Sequence, residues 1–163
     1  MQIDAIPTLI DQYRETFEGE VTPGMCWITD GRPDTAILGT IEPLSADEAF
    51  ARPAPGGKTV AAHVEHLRFT LDLTVRRFKG ENPPADWKSS FITPPPSAEA
   101  WALLRLELRR AYGEVLSILQ ESRALKPNDL PPIHLVGLAA LTAHNAYHLG
   151  AIRQIANVVR SKG

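Results

Sequence analysis

The sequence predicts an all-α fold, a four-helix bundle with long connections between helices one and two and between helices two and three. Three observations predict it. Apolar residues recur at steps of three and four along four separate stretches, the period of a helix that buries one face. No stretch alternates apolar and polar residues with the period of a strand. Proline and glycine punctuate two long segments, 20–56 and 80–96, between the periodic stretches. Four amphipathic helices bury their stripes most simply against one another. With 163 residues, 44% of them hydrophobic and 22% charged, residues 1–163 suit a single domain with one core.

The first helix is predicted over 3–19, where Ile6, Leu9, Ile10, Tyr13 and Phe17 mark one face. Pro7 is tolerated in a first turn, where its missing N–H is not needed. Segment 20–56 is irregular, with Pro23-Gly24, Asp30-Gly31 and Pro55-Gly56-Gly57 as turns. Ser45 and Glu48 have capping-box spacing, which predicts a short helix over 46–51. A connection this long covers something or lines a site. Trp27, Asp30 and Asp34 are therefore candidates for a pocket rim, against the alternative that they anchor the loop.

The second helix is predicted over 58–79, capped by Thr59 and stopped at Gly80. Glu65, Arg68, Asp72 and Arg76 form a polar arc facing water. The opposite side carries His63, His66, Thr70 and Thr74 among Leu67, Leu71 and Leu73, so both histidines point inward. Segment 80–96, with Pro83-Pro84 and Pro94-Pro95-Pro96, reads as a stiff extended strap. Ser97 caps the third helix, where Trp101, Leu104, Leu108, Ala111, Val115 and Ile118 form a bundle seam, with Trp101 and Tyr112 in the core. A connector over 126–132 leads to a fourth helix over 132–160, with His134 in its first turn near the surface.

The fourth helix holds the most informative stretch, AHNAYHLGAIRQI. His144 and His148 stand four residues apart, one turn on the same face. Gly137, Leu141, Ala151, Ile152, Ile155 and Val159 share their arc, and Arg153, Asn157, Arg160 and Thr142 fall opposite. Two titratable rings thus face the core, where unpartnered polar groups cost about 1–3 kcal/mol each. They are either hydrogen-bonded core histidines or two ligands of one metal ion awaiting a third. His63 and His66 are both placed to be the third, and geometry alone does not choose.

The net charge of −2 recruits neither nucleic acid nor an anionic membrane. Cys26 is the only cysteine, so no disulfide framework exists. The N-terminal stretch, with Asp4, Asp11 and Glu15, lacks the form of a signal peptide, and no run is long enough to span a membrane. A cytoplasmic location is expected.

These residues resemble the DinB/YfiT-like superfamily of bacterial proteins across nearly the whole chain. The specific parts are 45–67 (SADEAFARPAPGGKTVAAHVEHL), 77–87 (RFKGENPPADW) and 144–155 (HNAYHLGAIRQI), the last being sharpest. The resemblance implies a four-helix bundle that holds one divalent metal through three histidines, one on the second helix and two on the fourth. In the family the helix-two ligand follows a Ser or Thr by about seven residues and precedes an aliphatic residue. Thr59, His66 and Leu67 fit, so the resemblance assigns the site to His66, His144 and His148, with His63 as runner-up. It also implies a homodimer and a small-molecule substrate, and for some relatives transfer of a low-molecular-weight thiol.

Three neutral imidazoles leave coordination positions open, as catalytic sites do. Imidazole suits zinc, nickel and iron alike. A hydrolase wants a carboxylate base near the ion, and neither histidine-bearing helix offers an inward Asp or Glu. The expectation is therefore a metal-dependent enzyme, with thiol transfer ahead of hydrolysis unless Asp30, Asp34 or Glu42 swings in. The alternatives are a non-catalytic metal or small-molecule binder and a core network with no metal.

Overall fold

The computed structural model describes residues 5–122 and 132–161. Among these it is all-helical. The helices are α1 (Ala5–Glu18), α2 (Ile37–Ile41), α3 (Ala46–Phe50), α4 (Val60–Phe78), α5 (Ala98–Ser122) and α6 (Pro132–Arg160). The four long ones are the four predicted. The connector expected over 126–132 lies outside the described residues up to residue 131, as do the first helical residues expected before Ala5.

Local chemistry sets the helix ends. Ser45 accepts from the Glu48 N–H while the Glu48 carboxylate accepts from the Ser45 N–H, so α3 starts on a full capping box. Thr59 accepts from the Ala62 N–H and caps α4. Ser97 does the same for α5 through Ala100. Gly80 follows α4 with φ at +82°, a conformation that costs glycine little and others much.

α4 packs against α5 and α6, and α1 closes the bundle against the same two. One continuous core joins Ile10, Tyr13 and Phe17 of α1 to Leu67 and Leu71 of α4, Leu108 and Val115 of α5, and Leu149 and Ile152 of α6. Trp101 and Tyr112 are core residues as expected. The Trp101 indole donates to the Leu44 carbonyl at 2.8 Å, and the Tyr112 hydroxyl donates to Glu18. Glu15, buried on α1, accepts from the N–H groups of Trp27, Ile28 and Thr29 at 2.9, 2.7 and 2.9 Å, which pins the first long loop to the bundle.

The structure differs from expectation in three places. Ile37–Ile41 forms an extra helical turn, with Ile37 and Ile41 fully buried. The 80–96 strap is not extended throughout, because Ser89–Phe91 turns into a 3₁₀ helix. Asp86 starts that turn by accepting from the Lys88 and Ser89 N–H groups. On α6, Thr142 is buried and donates to the Leu138 carbonyl, while Gly137 is exposed. α6 packs against both α1 and α4, so its buried arc is wider and rotated relative to a single-face wheel.

Candidate metal centre

His66 on α4 and His144 and His148 on α6 converge between the two helices. His66 Nε2 lies 3.0 Å from His144 Nε2, and His148 Nε2 lies 3.1 Å from the same atom. The three are the described residues whose donor atoms gather closely enough to hold one metal ion. Two nitrogens bound to one ion at about 2.0–2.1 Å stand about 2.9–3.4 Å apart for bond angles near 90–110°. The observed separations fall in that range.

The surrounding hydrogen bonds decide which nitrogen of His66 faces the cluster with a lone pair. Ser90 Oγ is 2.8 Å from the Trp87 carbonyl, which can only accept, so the hydroxyl proton goes there. Ser90 Oγ is also 2.7 Å from His66 Nδ1 and must accept from an N–H at that position. His66 Nε2 is therefore bare. His63 Nδ1 lies 2.8 Å from His148 Nδ1, a distance at which one nitrogen donates to the other. When His148 donates, its Nε2 is bare as well. His144 Nε2 carries at most one proton in the neutral ring and cannot fully satisfy two bare neighbours. Convergent lone pairs of this kind suit a cation.

The electrostatics agree. Burial pushes His66 down to about 4, with the neighbouring His144, His63 and Lys58 adding to the effect. Burial, with His144, His66 and His63 adding to it, pushes His148 down to about 3. His144 and His63 are lowered too, chiefly by burial. All four rings are thus neutral near pH 7, the form a metal ligand needs.

An aromatic shell holds the rings. Phe91, delivered by the 3₁₀ turn, stacks on His66 with centroids 4.0 Å apart and planes at 5°. Lys58 Nζ sits over the Phe91 ring, 4.8 Å from its centroid. Tyr147, largely exposed, stands edge-on to His148 at 5.1 Å. Two grooves border this shell. One of about 470 Å³ is lined by Arg52, Lys58, Phe91 and the 94–96 prolines. The other, about 570 Å³, runs from His144 along α4 and α6.

The site unites His66, His144 and His148 and keeps His63 in contact through His148. It does not include the first-loop candidates. Trp27 is 78% exposed on a separate groove with Asp11 and Glu15. Asp30 pairs with Arg153, Asp34 with Arg32, and Glu42 with Arg105 and Arg109. None of them lines either groove beside the histidines, and no carboxylate among the described residues does. Ser90 and Phe91 carry no signal in the sequence, since a serine beside another serine in a proline-rich segment has no diagnostic spacing.

No helix among the described residues is long and apolar enough to cross a membrane. No curated protein matches the chain. No solved structure matches it either. The DinB superfamily profile matches residues 33–152, which takes in α2 to α5 and all three converging histidines. The match covers most of the chain, and the chain belongs to the DinB superfamily.

Proposed function

We propose that this protein is a metal-dependent enzyme whose divalent ion is held by His66, His144 and His148, and that its reaction is transfer of a low-molecular-weight thiol. The observation that carries the reading is the convergence of three neutral Nε2 atoms at 3.0 and 3.1 Å. A bound divalent ion would supply Lewis acidity, holding a thiol as thiolate near neutral pH. His66 is held for ligation by Ser90, and His148 by His63. Zinc, nickel and iron all suit the donor set.

Two features favour thiol transfer over hydrolysis. No carboxylate among the described residues lines either groove, so these walls offer no base for a hydrolytic water. Two grooves meet at the aromatic shell, one cationic through Arg52 and Lys58 and one largely apolar, an arrangement suited to two substrates. The homodimer implied by the resemblance draws support from the exposed face of α6, where Val136, Ala140, Ala143, Tyr147 and Gly150 follow at steps of four and three. We read residues 1–163 as one domain, in keeping with the continuous core from α1 to α6.

The test is elemental analysis of protein purified without a His-tag, followed by turnover assays with small thiols and electrophiles, with and without added zinc, nickel or iron. One equivalent of metal and metal-dependent thiol consumption are expected. Metal-dependent ester or amide hydrolysis without thiol consumption would select the hydrolase. Metal without turnover would leave a binding protein, and no metal would leave a histidine core network.

A further inference from the structure

The larger groove extends well beyond the histidines. It begins at His144 and follows the seam between α4 and α6 to Phe78 and His134, whose rings lie 5.8 Å apart. The helices run antiparallel here, since His66 meets His144 at one end and Phe78 meets His134 at the other. From His66 to Arg77 is about 16 Å of helix rise. Leu119, Leu138 and Leu141 give apolar wall. Thr70 and Thr74 also line it, but their hydroxyl protons go to the His66 and Thr70 carbonyls of their own helix. Gly137 widens the channel, because a Cβ there would meet nothing within 4 Å.

The far end carries Arg77. Its neighbour Arg76 is paired with Glu81 at 2.6 Å, whereas Arg77 has no acidic partner among the described residues. No acid among the described residues lines the groove to neutralise it. A guanidinium at the end of an apolar channel matches a carboxylate, whose two oxygens meet its forked donors.

We propose that this groove is a substrate site for a small organic acid. The ligand places its carboxylate on Arg77, its aliphatic or aromatic body along Leu138 and Leu141, and its reacting end at His144. The proposal rests on the metal-enzyme reading only for the end at His144. The carboxylate end and the apolar walls stand without it.

The test uses the full untagged chain, stripped with a chelator, and octanoate, octylamine and octanol as probes in titration calorimetry. Stripping matters because a carboxylate could otherwise bind a metal directly. Octanoate should bind about tenfold or more tightly than octylamine or octanol. Arg77→Gln should weaken octanoate about tenfold and leave octanol unchanged. Gly137→Leu should abolish octanoate and octanol binding by filling the channel. Ala140→Leu is the second obstruction if Gly137→Leu lowers the helical signal. Octanoate binding no tighter than octylamine, or indifferent to Arg77→Gln, overturns the acid specificity. Full binding in a folded Gly137→Leu or Ala140→Leu variant overturns the groove. Zinc uptake by the same preparation is measured separately. Octanoate binding without zinc uptake would sink the metal reading and keep this one. Zinc uptake without selective octanoate binding would do the opposite.

Discussion

Replacing His63, Ser90 and His66 by alanine, one at a time, separates ligand from orienting residue. His66 Nε2 is one of three converging donors, so His66→Ala leaves two, and metal should no longer co-purify. Ser90 Oγ fixes the His66 ring from 2.7 Å, and His63 Nδ1 fixes the His148 ring from 2.8 Å. Loss of such an outer partner costs about 10–100-fold in metal affinity. That is about 1.4–2.7 kcal/mol. His63→Ala and Ser90→Ala should therefore keep stoichiometric metal on purification and lose it to a competing chelator at 10–100-fold lower strength. Both residues are buried, so each apo variant should also lose about 1–3 kcal/mol of stability. The assay is a competitive titration with a chromogenic chelator, beside thermal melts of the apo forms. Metal retained by His66→Ala but lost by His63→Ala would refute the assignment. An unchanged affinity in both outer variants would refute the orienting roles.

Other outcomes follow from the same geometry. The apo protein should lose stability in acid. His66 and His148 are lowered to about 4 and about 3 in the fold, so the unfolded chain binds their protons first. Stability is then fully present above about pH 6.5, falls below it toward pH 4–3, and flattens there. Denaturant midpoints across pH 4–8 test this, and a flat profile between pH 6.5 and 4 would contradict it. Glu15→Ala should cost about 1–3 kcal/mol, because it strips three loop N–H groups of their acceptor. A melt shows the cost, and faster proteolysis within 20–31 shows that the loop has come loose. Gly113→Ala, at an exposed position in α5 with open space around the added methyl, should gain up to about 1 kcal/mol. A destabilised variant would show that the position is crowded in solution.

The long helices were legible because a buried stripe must repeat with the helical period. The His144–His148 pair was legible for the same reason, being one turn apart on a core-facing arc. The third partner was not legible from the wheel, and only the resemblance pointed to His66. His63 and His66 are about 60° apart on the wheel, so both read as inward. Only the placement of α6 shows that one ring reaches His144 and the other reaches the back of His148. α2 was hidden because five residues, Ile37–Ile41, are too few to display a period. Ser90 and Phe91 reach the site through a turn set by the Asp86 carboxylate and its backbone partners, a local hydrogen-bond pattern with no apolar signature. Thr142 misled the wheel because its hydroxyl donates to its own helix at 3.0 Å, which lets a polar residue sit in the buried arc.

The histidine cluster has a mechanical meaning as well as a chemical one. His144 and His148 ride on one helix, so their spacing is set by that helix alone. His66 comes from α4, 78 residues earlier in the chain than His144. An ion shared among them would be a reversible cross-link, fastening two helices as a disulfide would and opening when the ion leaves. Closing a loop of that length reduces the freedom of the unfolded chain by about 4–5 kcal/mol on the entropy scale used for disulfides. The fastened helices are the same α4 and α6 that wall the long groove. Loading an ion would therefore stiffen the channel, and chelation should lower the melting temperature and speed amide exchange along the His66–Arg77 and His134–His144 segments together.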